Sequence, residues 1–211
     1  MRTTTPLRRA LTTVTATATV VLIATGTAVA VPVPGTAAAP HSAARPLSAQ
    51  APSALRPVVE LAAARLATGD LVAAAKWGTD SPIDDPAREQ QVLDNVAAQA
   101  QQLGADPAEI RVIFRDQIEA NKIVQRGLFQ RWTTHPDEAP TTKPDLSAVR
   151  QEINRITSAL VQSLATTADD RGAFTCRPEL ALAGLQVHHE NHLDALHTRA
   201  LTRALPSICG N

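Results

Sequence analysis

The sequence predicts an all-α fold, a single-domain helical bundle of about five to six helices. Three observations carry this. Hydrophobic residues make up 44% of the 211-residue chain while aromatics make up 2% and tyrosine is absent, so the interior has to be assembled from Ala, Leu, Val and Ile. Only nine glycines occur and alanine is abundant, a composition rich in good helix formers. Apolar residues recur at three- and four-residue intervals over long segments, and prolines cluster between those segments. The 20 basic and 20 acidic side chains cancel, which argues against a nucleic acid or an anionic membrane surface as partner.

Residues 1–30 are expected to be removed. Arg2, Arg8 and Arg9 precede an acid-free apolar run that ends in Ala28-Val29-Ala30, the layout of a cleavable export signal. Seven threonines between residues 12 and 27 dilute the run too much for a membrane span. Cleavage would leave 17 basic against 20 acidic residues and a secreted or periplasmic product. Residues 31–53 are Pro, Ala and Ser without apolar period and read as a disordered leader; residues 54–211 form the helical domain. Cys176 and Cys209 are the only cysteines, and an even count in an exported chain predicts one disulfide.

The first helix is expected from about Ala54 to Trp77. At 100° per residue, Val58, Leu61, Arg65, Gly69, Val72 and Lys76 fall within about 60° of one another, so two cations enter an apolar stripe. The second helix follows a cap at Asp85 and Pro86 and runs to about Leu103, with Val92, Val96, Ala100 and Leu103 inward. Asp85 and Glu89 project along that stripe, with Arg88 at its edge. Asp106-Pro107-Ala108-Glu109 reads as a capping box opening a third helix to about Thr134, which buries Ile110, Ile113, Phe114, Val124, Leu128 and Trp132. Gln117, Asn121 and Gln125 recur on that stripe, and a buried amide without a partner costs about 1 to 3 kcal/mol, so three imply mutual hydrogen bonds or a polar ligand. Pro144-Asp145 opens a fourth helix with Leu146, Val149, Ile153, Thr157, Leu160 and Leu164 inward and Arg150 interrupting the row. Asp169-Asp170-Arg171-Gly172 is expected to end it. A fifth helix spans about Pro178 to Leu205, with Leu182, Leu185, Leu193, Leu196 and Ala200 inward.

The polar residues on these stripes describe a ligand. Arg65, Lys76, Arg88 and Arg150 are inward cations, with Asp85, Glu89, Asn121 and Gln125 among them. Three guanidiniums suit a small organic dianion because each grips a carboxylate through a fork of donors. His188 and His192 have a spacing that can bind zinc, but no third ligand stands at a defined distance. No phosphate loop or nucleophile elbow occurs, so no metal or cofactor is expected and any reaction should proceed by positioning and electrostatics.

Several short pieces stand in order along the chain: Ala63-Ala64-Arg65-Leu66, Ala73-Ala74-Ala75-Lys76-Trp77, Pro82-Ile83-Asp84-Asp85 with Arg88-Glu89, Asp106-Pro107, Phe114-Arg115-Asp116-Gln117-Ile118, Pro144-Asp145-Leu146-Ser147 with Arg150, and His192-Leu193-Asp194. In their joint order and spacing the sequence resembles the all-helical chorismate mutases, in particular the exported subclass, over roughly Leu55 to Cys209. The resemblance implies the chorismate mutase II fold, a homodimer, and a cofactor-free Claisen rearrangement of chorismate to prephenate, the branch of the shikimate pathway toward phenylalanine and tyrosine. Carried onto this chain, Arg65, Arg88 and Arg150 would hold the two carboxylates, Lys76 and Gln125 would bind the ether oxygen, Asp85 and Glu89 would position the substrate's hydroxyl and backbone end, and Asn121 would assist a carboxylate. In the exported subclass a later helix of the same chain supplies the arginine that intracellular members take from a partner, and Arg150 matches that position. Some exported relatives have Glu where this chain has Gln125 and a hydroxyl residue where it has Asn121.

Overall fold

The computed structural model describes residues 53–210. The expected export signal and, Ser53 excepted, the leader lie outside the described residues. Seven α-helices run through them: α1 Arg56–Lys76, α2 Pro86–Gln102, α3 Pro107–Thr134, α4 Leu146–Thr166, α5 Ala168–Gly172, α6 Cys176–Glu190 and α7 Ala195–Ala204, with a single 3-10 turn at Pro136–Glu138. No strand occurs among the described residues.

Aspartates set most of the helix starts. The Asp85, Asp106, Asp145 and Asp194 carboxylates accept backbone N–H groups of Arg88, Ala108, Ser147 and His197 at 2.8 to 3.0 Å, filling donors that a first turn leaves unpaired. Glu109 does not close the expected capping box. Its carboxylate instead grips Arg171 of α5, whose buried guanidinium also donates to the carbonyls of Leu164 and Ile208.

Helix α1 lies at the centre, packed against α3 and α4 along its length and against α6 and α7 on its other side. Val58, Val59, Ala62, Leu66 and Ala73 meet Ile110, Ile113, Phe114 and Val124 of α3 and Leu160, Val161 and Leu164 of α4, all of them buried. With so few aromatics the core is aliphatic, and three of those rings gather at one end, where Trp77 meets Phe129 and Trp132 edge-on at centroid distances of 5.1 and 5.4 Å. Two glycines set how closely helices approach. A Cβ on Gly127 would sit 2.5 Å from Leu196 of α7, and one on Gly69 would press on Val124 and Asn121 at 3.1 to 3.2 Å.

The C-terminal third departs from expectation. The predicted fifth helix is two helices, because the chain turns at His192, whose φ of 49° lies in the left-handed region, and restarts at the Asp194 cap. Carrying the phase of Leu193, Leu196 and Ala200 back through this break assigns the wrong face. Leu180, Ala183 and Val187 are buried, whereas Leu182 and Leu185 are 46% and 68% exposed. Leu103 is likewise exposed, because α2 ends at Gln102 and Gly104 at φ 72° turns the chain away. Asp169–Gly172 terminates α4 but forms a helical turn of its own, α5, and the next helix starts at Cys176 instead of Pro178.

Cys176 and Cys209 form the disulfide, with Cα atoms 5.8 Å apart and a sequence separation of 33. It ties the tail after α7 to the start of α6, where Gly210 N–H also donates to the Arg171 carbonyl. Replacing both cysteines by serine is expected to cost about 3 to 4 kcal/mol through the freed loop of the unfolded chain. Urea unfolding of the two proteins checks this, and an unchanged midpoint and slope would contradict it.

Candidate active site

All eight residues singled out from the sequence line one cleft of about 210 Å³. Helix α1 contributes Arg65 and Lys76, α2 and its cap contribute Asp85, Arg88 and Glu89, α3 contributes Asn121 and Gln125, and α4 contributes Arg150. Val72, Ile83, Val92, Ile118, Leu146 and Ile153 supply the apolar part of the wall. Arg65, Gly69, Val72 and Lys76 share a face of α1 because that helix runs unbroken from Arg56 to Lys76.

Arg65 is the deepest cation, 5% exposed. Its Nη1 donates to Thr157 Oγ1 of α4, its Nε has no partner, and the guanidinium lies 5.4 Å from the centroid of the Phe114 ring. No carboxylate reaches it among the described residues, and burial pulls its pKa down to about 10, which still leaves it charged at neutral pH.

Lys76 is half-buried at the end of α1 and donates from Nζ to the Pro82 carbonyl at 2.8 Å. Burial lowers its pKa, Asp85 pulls it back up, and the positive charge of Arg150 lowers it again; the three groups from three elements feel one another across the cleft. The Arg88 side chain donates to Gln91 Oε1 at 3.2 Å. The Arg150 residue is exposed, so it stands at the mouth and not within the interior as its stripe suggests. Arg111, Arg115, Arg126, Arg131, Arg155, Arg171 and Arg203 all pair with carboxylates. Among the described residues Arg65, Lys76, Arg88 and Arg150 have no such pair.

The three amides divide. Gln117 turns away from the cleft and donates to the Ala204 carbonyl of α7 at 2.9 Å. Asn121 Nδ2 donates to the Arg65 carbonyl at 3.0 Å, so its Oδ1 is free to accept Gln125 Nε2 at 2.8 Å. This relay fixes the Gln125 amide and leaves its nitrogen a second N–H. Asp85 spends one oxygen on the α2 cap. Glu89 accepts from Lys122 Nζ at 3.1 Å on one oxygen and from Arg115 Nη1 at 2.7 Å on the other.

Two lining or supporting residues escape the sequence reading. Lys122 lines the cleft with its side chain only 10% exposed; it lies one residue past the amide row, about 100° around the helix, and only Glu119 three residues earlier hints at a partner. Thr157 counts as an apolar-stripe residue by position, and nothing local marks its hydroxyl as the acceptor for Arg65. Among the described residues no cluster of three His, Cys, Asp or Glu side chains is placed to hold a metal; His188 meets Thr198 Oγ1 at 3.0 Å. The arrangement is a preorganised set of donors and cations around a small volume, suited to gripping a compact dianion and stabilising negative charge that develops on it.

Known proteins carry the same architecture. The family model for chorismate mutase type II matches residues 56–126. The secreted chorismate mutase of Mycolicibacterium smegmatis is 38% identical over 157 residues, 74% of this chain and 87% of that protein. The secreted chorismate mutase of Mycobacterium tuberculosis is 34% identical over 157 residues, 74% of this chain and 79% of that one. Among solved structures, a chorismate mutase from Burkholderia phymatum superposes with a TM-score of 0.71 at 36% identity, covering 75% of this chain and 97% of its own. One from Burkholderia thailandensis gives 0.70 at 36% identity, covering 74% and 99%.

Proposed function

Since the chain belongs to the chorismate mutase type II family and is a secreted isomerase that converts chorismate to prephenate, we propose that the cleft lined by α1 to α4 carries the rearrangement. Four cations without protein carboxylates, gathered in one cleft, support this reading above all. Arg65, Arg88 and Arg150 hold the two substrate carboxylates, and Asn121 assists one of them. Asp85 and Glu89 position the hydroxyl end. Held this way, chorismate is kept in the compact conformer in which the migrating fragment lies over the ring, so the orientational cost is met on binding. Lys76 and Gln125 donate to the ether oxygen. As its carbon–oxygen bond lengthens that oxygen becomes enolate-like, and both donors bind it more strongly in the transition state than in the ground state. No covalent intermediate or proton transfer is needed. Incubating purified protein with chorismate should produce prephenate, while isochorismate should give no pyruvate; the reverse pattern would overturn the assignment.

Gln125 donates regardless of pH, where a glutamate would have to be protonated first. The rate is therefore expected to be nearly flat between about pH 5 and 8. It should fall only on the alkaline side, where Lys76, its pKa lowered by burial, loses its proton. A pH profile of kcat checks this, and a steep decline inside that interval with the fold intact would contradict it.

We also infer that the mature protein begins after residue 30 and is a homodimer, on the signal-like N-terminus and the resemblance to the exported mutases. Intact mass and light scattering of secreted protein test the two separately.

A further inference from the structure

Glu89 poses a problem for a site built to take a dianion. A free carboxylate in this cleft would pair with Arg88 or Lys76, and its charge would repel the substrate. The structure shows what prevents this. Glu89 Oε1 accepts from Lys122 Nζ at 3.1 Å, and Oε2 accepts from Arg115 Nη1 at 2.7 Å, so both oxygens are held by α3. The Lys122 ammonium is at the same time 2.6 Å from Glu119 Oε1 and 3.2 Å from Asp84 Oδ1. Asp84 belongs to the segment whose Pro82 carbonyl receives Lys76, and Arg126 holds it as well. Burial alone would lower the Lys122 pKa, but the hydrogen bonds its ammonium donates to three carboxylates leave it raised.

We propose that Lys122 is a positioning residue that restrains Glu89 on the α3 wall, aims it at the substrate's hydroxyl end, and so keeps Arg88 unpaired for a substrate carboxylate and Lys76 unpaired for the ether oxygen. The inference rests on the site assigned above. Lys122 sits in the cleft wall and acts through Glu89, without gripping the substrate itself.

The test is a double-mutant cycle on KM and kcat for chorismate. Lys122→Met keeps the stem and removes the charge; it is expected to raise KM about tenfold, because Glu89 is released toward the cleft cations. In the Glu89→Gln background, Lys122→Met should change KM by less than about threefold, since a neutral side chain cannot compete for those cations and any loss of its own hold on the substrate hydroxyl is common to both variants. Lys122→Arg should stay within about threefold of the unaltered protein, a difference of less than one 1.4 kcal/mol decade. A purely structural lysine would act independently of Glu89, so a tenfold rise in KM on adding Lys122→Met to Glu89→Gln overturns the proposal. If Lys122→Met does not fold, the milder Lys122→Gln carries the same comparison with the same two outcomes. Lys76→Ala is assayed alongside: full turnover there would bring down the site itself, whereas an inactive Lys76→Ala with an unaffected Lys122→Met would overturn only the restraint of Glu89.

Discussion

Lys76→Met is expected to lower kcat for chorismate by at least about 100-fold while leaving KM within a fewfold and the fold intact. Removing one preorganised donor to a developing oxyanion costs about 2.7 to 4 kcal/mol of transition-state stabilisation, and Lys76 contributes a full positive charge besides. Its ammonium is half-buried, fixed by the Pro82 carbonyl, and near both Asp85 and Arg150. In the proposed role it would therefore meet the ether oxygen already oriented. The ground-state ether oxygen is a weak acceptor, so little binding energy is lost with the ammonium; the loss falls on kcat. Stability should hardly change, since Lys76 is the last residue of α1 and its side chain makes one hydrogen bond. Methionine retains the stem that packs along the cleft. Steady-state kinetics with far-UV circular dichroism checks both halves, and a variant with kcat within threefold would mean that the ether oxygen lies elsewhere.

Much of this site is legible in the sequence because long helices make residue spacing into geometry. The eleven residues from Arg65 to Lys76 span three turns of one unbroken helix, so two cations on an apolar stripe are enough to predict that they face a common space. Asp85 and Asp106 announce the starts of α2 and α3 through capping chemistry that is local to a few residues. What periodicity cannot carry is phase across a break. Leu182 and Leu185 are misassigned because the left-handed turn at His192 resets the rotation before α7 begins. It also cannot pair residues on different helices. Gln117, Asn121 and Gln125 look equivalent on α3, yet Gln117 finds a carbonyl of α7 while the other two form a relay that ends on α1. Lys122 and Thr157 become meaningful only once Glu89 and Arg65 arrive from other elements, and Glu109 answers Arg171 more than sixty positions away where a local cap was expected.

Arg65→Met should separate function from stability more sharply than any other change in the cleft. The guanidinium is held in the interior with one hydrogen bond, to Thr157, and no carboxylate. Burial lowers its pKa to about 10, a shift worth roughly 3 kcal/mol by which folding disfavours the charged form. A cation whose folded pKa lies below its unfolded one destabilises the fold at every pH below the folded value, and the cost fades only as pH rises above about 10 toward the ordinary guanidinium range. An apolar side chain of similar length removes that cost at neutral pH, offset by about 1 to 2 kcal/mol for the orphaned Thr157 hydroxyl and the lost contact over Phe114. The variant is therefore expected to be more stable by about 1 to 2 kcal/mol, a rise in Tm of roughly 2 to 8 °C, while kcat/KM drops by at least about 100-fold because a buried carboxylate loses its partner. Prephenate supplies the internal control: saturating product should raise the Tm of the unaltered protein through binding to the folded state alone and leave that of Arg65→Met nearly unmoved. A variant that is both inactive and less stable would make Arg65 a structural cation whose charge the fold needs, and its guanidinium could then no longer be assigned to a substrate carboxylate.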